Sequence, residues 1–467
     1  MKKRKIINFI LLFITIFSFV MILFYINKIN IIPLRYCYIF SFLEFFLLLF
    51  AIIFNKFESA IINYISIFIT VVVLIINCCG FYYVRHFDKF LDKGFTGDIV
   101  RSNTYYLVTS KNNDISIIED VSTDSTVYYY NLGNSKEEAF EKTGNYNYVL
   151  LEDLNSFFVD SLDKDNYLLI EKNNYNIIFN QISEYNIDDY KIIYQFDIKT
   201  SIKRNEEVKE VYNVLLIGKD FSNLNDFNML VTVNTKTRKV LLTSISRDYY
   251  IPAYGYNFSD TVSLMAFLGE DVPRKSIGAY FGVEIDYIVD MYTDNIVDVV
   301  DKIGGIEYCS NQAFTTIHAK VMTYDDSTGK KLYIKKGCQH LNGIETLTVA
   351  RERKAFARAD RQRQENCRQI MLSILRKIVS GSTLLNYTSV LDSFNGLYET
   401  DMNRTVVTTL LRDIISNGEY EIENQLADGY NTIGIREHNR YRGYVTYPDE
   451  ELTKRIKAKI KEVMEEK

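Results

Sequence analysis

Three apolar blocks, residues 6–26, about 36–54 and about 60–84, open this chain, and each is long enough to cross a bilayer, which takes about 20 residues. Lipid offers peptide groups no hydrogen-bond partner, so each block must close its own backbone bonds as a helix. Three transmembrane helices are therefore expected over 1–84, with a connector at 85–102. Met1-Lys2-Lys3-Arg4-Lys5 places four positive charges ahead of the first block, which by the positive-inside rule keeps the N-terminus cytoplasmic and puts everything after residue 85 outside. A cleaved signal peptide would account for the first block alone, but that block lacks a small-residue cleavage site and two more follow.

Charge narrows the function classes. Residues 1–84 hold seven Lys/Arg and two Asp/Glu, and because the whole chain carries −5, residues 85–467 carry −10. A nucleic-acid partner would need a basic footprint, and this balance opposes one. Cys37, Cys78 and Cys79 fall in the apolar blocks, leaving Cys309, Cys338 and Cys367 outside. Their odd number and wide spacing argue against a disulfide framework or a zinc site, with a single Cys309–Cys338 bridge left open. Only four histidines are present, too few to favour a histidine metal centre or a Ser-His-Asp triad.

Residues 103–205 carry short runs such as TYYLV, TVYYY, NYVLL, NYLLI and KIIYQF between Asn, Asp and Ser clusters, the pattern of a small α+β accessory module with one helix at Ser135–Thr143. No residue set in it has catalytic spacing. From 206 to 467 apolar strands alternate with helical patterns. Pro273–Phe281 and Asn295–Ile303 are expected as helices, with Thr261–Leu268 a third, and Ile285–Met291 and Ile306–Cys309 as strands. That alternation indicates a three-layer α/β/α domain.

The stretch Asn213–Pro252 holds the first charged constellation. Val214–Gly218, Met229–Asn234 and Lys239–Ile245 are strand-like, and Thr235-Lys236-Thr237-Arg238 forms a turn between the last two. A symmetric turn sets Asp226 opposite Arg247 at the far end of the ladder, beside Asp248. If the first strand runs parallel to the third, its end brings Asp220 to the same rim. Carboxylates there can take a divalent metal and a guanidinium can take a phosphate; a solvated, salt-bridged hairpin end is the plainer alternative.

The second constellation is ARERKAFARADRQRQENC, residues 350–367. Arg351 and Arg353 share a face only if the backbone is extended there. From Asp360 the apolar positions take helical spacing, and Arg363, Cys367, Ile370 and Ile374 form one stripe. Arg363 then lies in the first turns of a helix whose N-terminus attracts phosphate.

With LLIGKD, NDFNMLVTVNTKTRKVLLTSISRD, VVDKIGGIEY, LNGIETLTVARER, ADRQRQENC, SVLDSFNGLYETDM and GYVTYPDEEL in order, roughly residues 103–467 resemble the LytR-CpsA-Psr (LCP) family of cell-wall glycopolymer ligases, in its capsule-associated form with N-terminal spans and an accessory domain. The resemblance implies an extracytoplasmic phosphotransferase that moves an anionic glycopolymer or capsular polysaccharide from an undecaprenyl-pyrophosphate carrier to peptidoglycan, assisted by Mg²⁺. By position, Asp220 and Asp226 match the metal-associated carboxylates and Arg247 the arginine of the family's Pro-Arg-Asp motif. Arg351, Arg353 and Arg363 match the pyrophosphate-gripping arginines, and Asp360 belongs to the adjoining Gly-Asp pattern. The chain departs from the family at Leu224 (arginine), Cys367 (glutamine), Asn225-Asp226-Phe227 (Ser-Asp-Thr), Ser246 (Pro) and Ala359 (Gly). A protein that binds the lipid-linked glycan without transferring it, and a membrane-bound transcription regulator, are the alternatives; the charge balance opposes the latter. A long carrier lipid would further require an apolar tunnel between the sheet and its covering helices.

Overall fold

The computed structural model describes residues 2–151, 157, 166–175, 186–219, 224–269, 271–317, 331–357, 359–378, 387–394, 396–435 and 442–466. The apolar blocks form three helices, α1 (Lys2–Ile29), α2 (Leu34–Lys56) and α3 (Ala60–Phe95). Each is long and apolar enough to cross a membrane, and outward side chains such as Phe9, Phe42 and Phe68 are exposed. Polar contacts join the helices inside: Asn77 Nδ2 donates to Glu44 at 2.6 Å, and Asn8 Nδ2 to Ser66 at 2.5 Å.

Helix α3 does not end at residue 84. It runs on to Phe95, so most of the expected 85–102 connector is helix. The reason is side-chain spacing, because Phe87, Phe90, Leu91 and Phe95 recur on one helical stripe and pack with Ile29, Ile31, Tyr398, Val407 and Leu411. Asp88 fixes the junction by accepting from Lys28 at 2.6 Å and from Arg404 at 2.5 Å. The extension is thereby riveted to the large domain.

The accessory module has five strands, β1 (Ile99–Ser110), β2 (Thr126–Tyr129), β3 (Asn147–Leu150), β4 (Tyr167–Glu171) and β5 (Tyr190–Ile202), and one helix, α4 (Lys136–Thr143). Their order in the sheet is β3-β2-β4-β1-β5. All five expected strand runs take part.

The large domain is built on β6 (Val211–Lys219), β7 (Asn225–Asn234) and β8 (Lys239–Ile245). After β8 come β9 (Tyr250–Pro252), β10 (Ser259–Thr261), α5 (Val272–Phe281), β11 (Tyr287–Tyr292) and α6 (Ile296–Lys302). Within Thr261–Leu268, only Met265–Phe267 is helical, as a single 3₁₀ turn. The next elements are β12 (Ile306–Ser310), β13 (Phe314–Thr315), β14 (Tyr333–Ile334), β15 (Gly337–Leu341), α7 (Gly343–Arg351), α8 (Ala359–Ile378) and α9 (Tyr387–Phe394). The chain closes with β16 (Tyr398–Thr400), α10 (Arg404–Asn417), β17 (Glu421–Ala427), β18 (Gly429–Ile435), β19 (Arg442–Pro448) and α11 (Glu450–Glu465).

The central sheet has the order β16-β11-β6-β7-β8-β17. Alternation of side chains gives it two faces. One carries Leu215, Ile217, Leu230, Leu241 and Ile245 against Ile277 and Phe281 of α5 and Ile456, Ile460 and Val463 of α11. The other carries Val214, Leu216, Val231, Val240 and Val289 beside Val406, Val407 and Leu410 of α10. Helices on both faces make the expected three layers. An annex of α6 to α9 and β12 to β15 has its own core around Tyr308, Leu341, Val349 and Ile370. There Cys309 and Cys338 pair across β12 and β15 as a disulfide.

Candidate active site

The β7–β8 register runs from Asn234 opposite Lys239 to Asn228 opposite Ile245, and its continuation sets Asp226 across from Arg247, as the turn predicts. β6 pairs antiparallel with β7, so it runs parallel to β8 and ends at the same rim. Arg247 Nη1 donates to Asp226 Oδ1, and Arg247 Nε lies 3.4 Å from Asp248 Oδ1. Arg363, itself only 4% exposed, approaches from α8 with Nη1 3.5 Å from Asp226 Oδ2 and Nη2 donating to the Asp226 carbonyl at 2.6 Å. Burial would push the Asp226 carboxyl up, but Arg363, Arg247 and Arg353 together hold it below its ordinary value. Asp226 is thus an anion surrounded by three guanidiniums.

Local folding delivers the arginines. Helix α7 begins with a capping box in which Asn342 accepts from the Glu345 N–H and Glu345 accepts from the Asn342 N–H, a device worth about 1 kcal/mol. It ends at Arg351, and the next residue is extended, with φ −70° and ψ 127°. That is the backbone the Arg351–Arg353 spacing asks for. Between them Glu352 is fully buried, its carboxylate accepting from the Ile317 N–H at 2.6 Å and the Ala355 N–H at 3.0 Å. Glu352 pins the loop between the two arginines, and of these Arg353 is close enough to act on the Asp226 charge. Helix α8 includes Asp360 in its first turn.

Asp220 lies outside the described residues. Leu224 is 6% exposed, packed rather than offered to a ligand, and Cys367 directs its thiol to the Ala350 carbonyl at 3.4 Å. Three amides are not among the expected site residues, although Asn225 is one of the departures from the family pattern. Gln364 and Asn225 are each 1% exposed with neither side-chain polar atom hydrogen-bonded among the described residues, and buried Asn228 leaves its Oδ1 unpaired. Such groups cost about 1–3 kcal/mol each when nothing meets them, so water, an ion or a polar ligand is called for there. Helical adjacency to Arg363 was the available signal for Gln364. Beside the rim, a cleft of about 480 Å³ between α8 and strands β8 and β17 is lined by Ser244, Arg361, Gln362, Glu365, Asn424 and Gln425, among others. Its lining side chains are mostly polar, so it is not the apolar tunnel expected for a lipid; the sheet face beneath α10 leaves Leu216, Val231 and Val240 only partly buried.

Asp226 is the described rim residue that offers the hard carboxylate oxygens a divalent cation takes, and here both of them face guanidiniums. Among the described residues the only close trio of metal-ligand side chains is Glu307, Cys309 and Cys338, whose sulfurs are spent in the disulfide.

The LytR_cpsA_psr family profile matches residues 176–462. A Bacillus mycoides protein named polyisoprenyl-teichoic acid–peptidoglycan teichoic acid transferase TagU is 28% identical over 222 residues, 46% of this chain and 66% of that protein, just under two thirds of its length. An Enterococcus faecalis protein of the same name is 24% identical over 262 residues, 54% of this chain and 80% of its own. The crystal structure of B. subtilis TagU superimposes with a TM-score of 0.43 at 26% identity, covering 56% of this chain and 99% of that one.

Proposed function

This chain belongs to the LytR_cpsA_psr family, and from that premise we propose that it transfers a glycopolymer phosphate from a polyprenyl-pyrophosphate carrier to peptidoglycan on the outer side of the membrane. The observation that carries this reading is the convergence of Arg247, Arg353 and Arg363 on Asp226 at the open end of the ladder. A pyrophosphate entering there meets guanidinium forks that fit its oxygens, and the charge that builds on the leaving phosphate is neutralised by groups already in place. In the transfer, an acceptor hydroxyl oxygen bonds to the glycan-side phosphorus and the P–O–P bridge breaks. Its electron pair leaves with the lipid monophosphate, and the hydroxyl proton is released. Arg247, Arg351, Arg353 and Arg363 hold the pyrophosphate between them. Mg²⁺ would be held by Asp226 with Asp220 and would supply further neutralisation of the pyrophosphate.

The carrier lipid reaches this rim along the partly covered sheet face. Helix α10 borders that face and also touches the membrane bundle, where Arg412 Nη1 donates to Asn30 at 2.8 Å. The N-terminus is cytoplasmic and the large domain outside, in keeping with the Lys2-Lys3-Arg4-Lys5 cluster and with a disulfide that persists in oxidising surroundings.

The test is to incubate the full-length protein in detergent with a polyprenyl-pyrophosphate oligosaccharide, Mg²⁺ and peptidoglycan fragments. Glycan phosphate on the fragments and an equal amount of polyprenyl monophosphate are expected. Absence of both overturns the transferase reading. Lipid binding without product would favour a binding-only protein, a reading to which packed Leu224 and inward-turned Cys367 lend weight.

A further inference from the structure

We infer that the last turn of α10 is seated in the outer leaflet of the bilayer through Ile414 and Ile415, and is the threshold over which the carrier's apolar chain passes onto the partly covered sheet face. The seat rests on the three helices crossing the membrane; only the threshold rests on the carrier reading above.

The level of the bilayer surface is set by the short turn between the first two spans. Helix α1 stops at Ile29 and α2 begins at Leu34, so residues 30–33 alone join them. With the N-terminus inside, that turn lies at the outer face, and so short a link holds it at headgroup level. Tyr36 and Tyr38 at the start of α2 are exposed, as aromatic side chains at a membrane interface are. The end of α10 meets the bundle at this level. Arg35 Nη2, in the first turn of α2, donates to the Ser416 carbonyl, and Arg412 Nη1 donates to Asn30 Oδ1 at 2.8 Å. The start of α10 stands higher. Arg404 pairs with Asp88 at 2.5 Å and with Asp92, and Asp92 is about 12 Å of helix beyond residue 84, where the apolar block ends. Helix α10, 14 residues long, therefore slopes down to the bilayer and reaches it with its last turn.

The side chains of that turn suit lipid. Ile414 and Ile415 are 44% and 43% exposed. Leu410, one turn before Ile414, packs on the sheet face, and Leu411, one turn before Ile415, packs with Ile29, Ile31, Leu91 and Phe95 of the bundle. Positions four apart share a helix face, so Ile414 prolongs the stripe on the sheet and Ile415 the stripe on the bundle. Apolar surface thus runs without a break from the outer end of the spans to the sheet face. Charge adds little here. Asp413 is answered by Arg238 at 3.1 Å and by the Tyr420 hydroxyl at 2.5 Å, and exposed Glu419 and Glu421 just beyond the helix offset Arg35 and Arg412. The seat therefore calls for the boundary between headgroups and acyl chains, and not for anionic lipid.

The chain contains no tryptophan, so Ile414→Trp and Ile415→Trp each give the full-length protein a single fluorophore, read in phosphatidylcholine nanodiscs. The control is Tyr430→Trp, at an exposed position of β18; β18 leaves the end of β17 that pairs with Ile245, about 20 Å along the strand from Glu421. Both isoleucine variants should lose at least half their emission to lipid with a doxyl group near the top of its acyl chain, and iodide should quench them at least threefold less than the control. Iodide quenching equal to the control without doxyl quenching overturns the seat. Quenching by neither agent overturns it too, because protein, such as a second copy of the chain, then covers the turn. Should tryptophan disturb the fold, the parent protein answers: phosphatidylcholine with a photoreactive acyl chain should label residues 414–415 and spare 430, and no label at 414–415 overturns the seat. For the threshold, Ile414→Ser/Ile415→Ser should slow uptake of a polyprenyl pyrophosphate from nanodiscs at least fivefold and leave its affinity in detergent within twofold; unchanged uptake overturns it. A parent that takes up no carrier removes the threshold together with the transferase reading, while the fluorescence still decides the seat.

Discussion

The two faces of the central sheet are made from similar residues and end in different states. Against α5 and α11 the strand residues Leu215, Leu230 and Ile245 are wholly buried, interlocked with Ile277, Ile456 and Ile460. Against α10, Val214 and Met229 are buried, while Leu216, Val231, Val240 and Val289 keep part of their surface. Helix α10 itself leaves Ile414 and Ile415 44% and 43% exposed. A sheet that needed only stability would close both sides, since each square ångström of apolar surface left in water forgoes about 25 cal/mol. The closed face holds the strands rigid and so fixes the rim. On the function proposed, the open face would give the carrier's long apolar chain somewhere to lie.

The largest effect that can break this contrast belongs to the closed face. Leu230→Ala should cost about 2–5 kcal/mol of stability through the cavity it leaves, seen as a lower Tm of the full-length protein, with lipid affinity of the folded fraction unchanged. A loss of lipid binding at full stability would reverse the assignment of the faces. At the rim, Arg351→Ala should weaken polyprenyl-pyrophosphate binding by about 1.5–3 kcal/mol, the worth of a charged hydrogen bond, and leave Tm nearly unaltered. Equal affinity in variant and parent would take Arg351 out of the clamp.

Acid should act through Asp226, whose folded-state value is depressed. The ionised carboxylate favours the folded protein, so its contribution is complete above the ordinary value of about 3.9 and disappears as pH falls through the depressed one. Asp226→Asn should therefore lose less stability than the parent on acidification below about pH 4. Parallel Tm curves for the two proteins would show that Asp226 is not coupled to the arginines. The same variant should also need more Mg²⁺ for lipid binding, and an unaltered requirement would remove the metal role. Smallest in stability is Leu216→Ala on the open face, expected to cost about 1 kcal/mol or less while still weakening lipid affinity.

The rim was legible because it depends on short-range rules. Period-two alternation and a four-residue turn suffice to bring Asp226 to Arg247, and Arg238 at φ 60° closes that turn. The Arg-Glu-Arg spacing left open whether its backbone is extended, and the chain is helical up to Arg351 and extended at Glu352. What stayed hidden depends on distant partners. Nothing in Phe87 to Phe95 says that Tyr398 and Leu411 will meet it, so α3 read as shorter than it is. The β17 pairing with β8 joins residues far apart in the chain, and the orphaned amides of Gln364 and Asn225 look like ordinary polar residues until burial is known. The Cys309–Cys338 bridge was one option among several until β12 and β15 aligned them.

The most direct test of the contrast is to load the full-length protein with a photoreactive polyprenyl pyrophosphate, irradiate, and map the labelled residues by mass spectrometry. Labels are expected along the open face, at Leu216, Val231 and Val289 and on α10 at Leu410, with protection by unlabelled lipid. Labels confined to α5 and α11, or to the outer surface of the membrane helices, would contradict the open face as the path of the carrier to the rim.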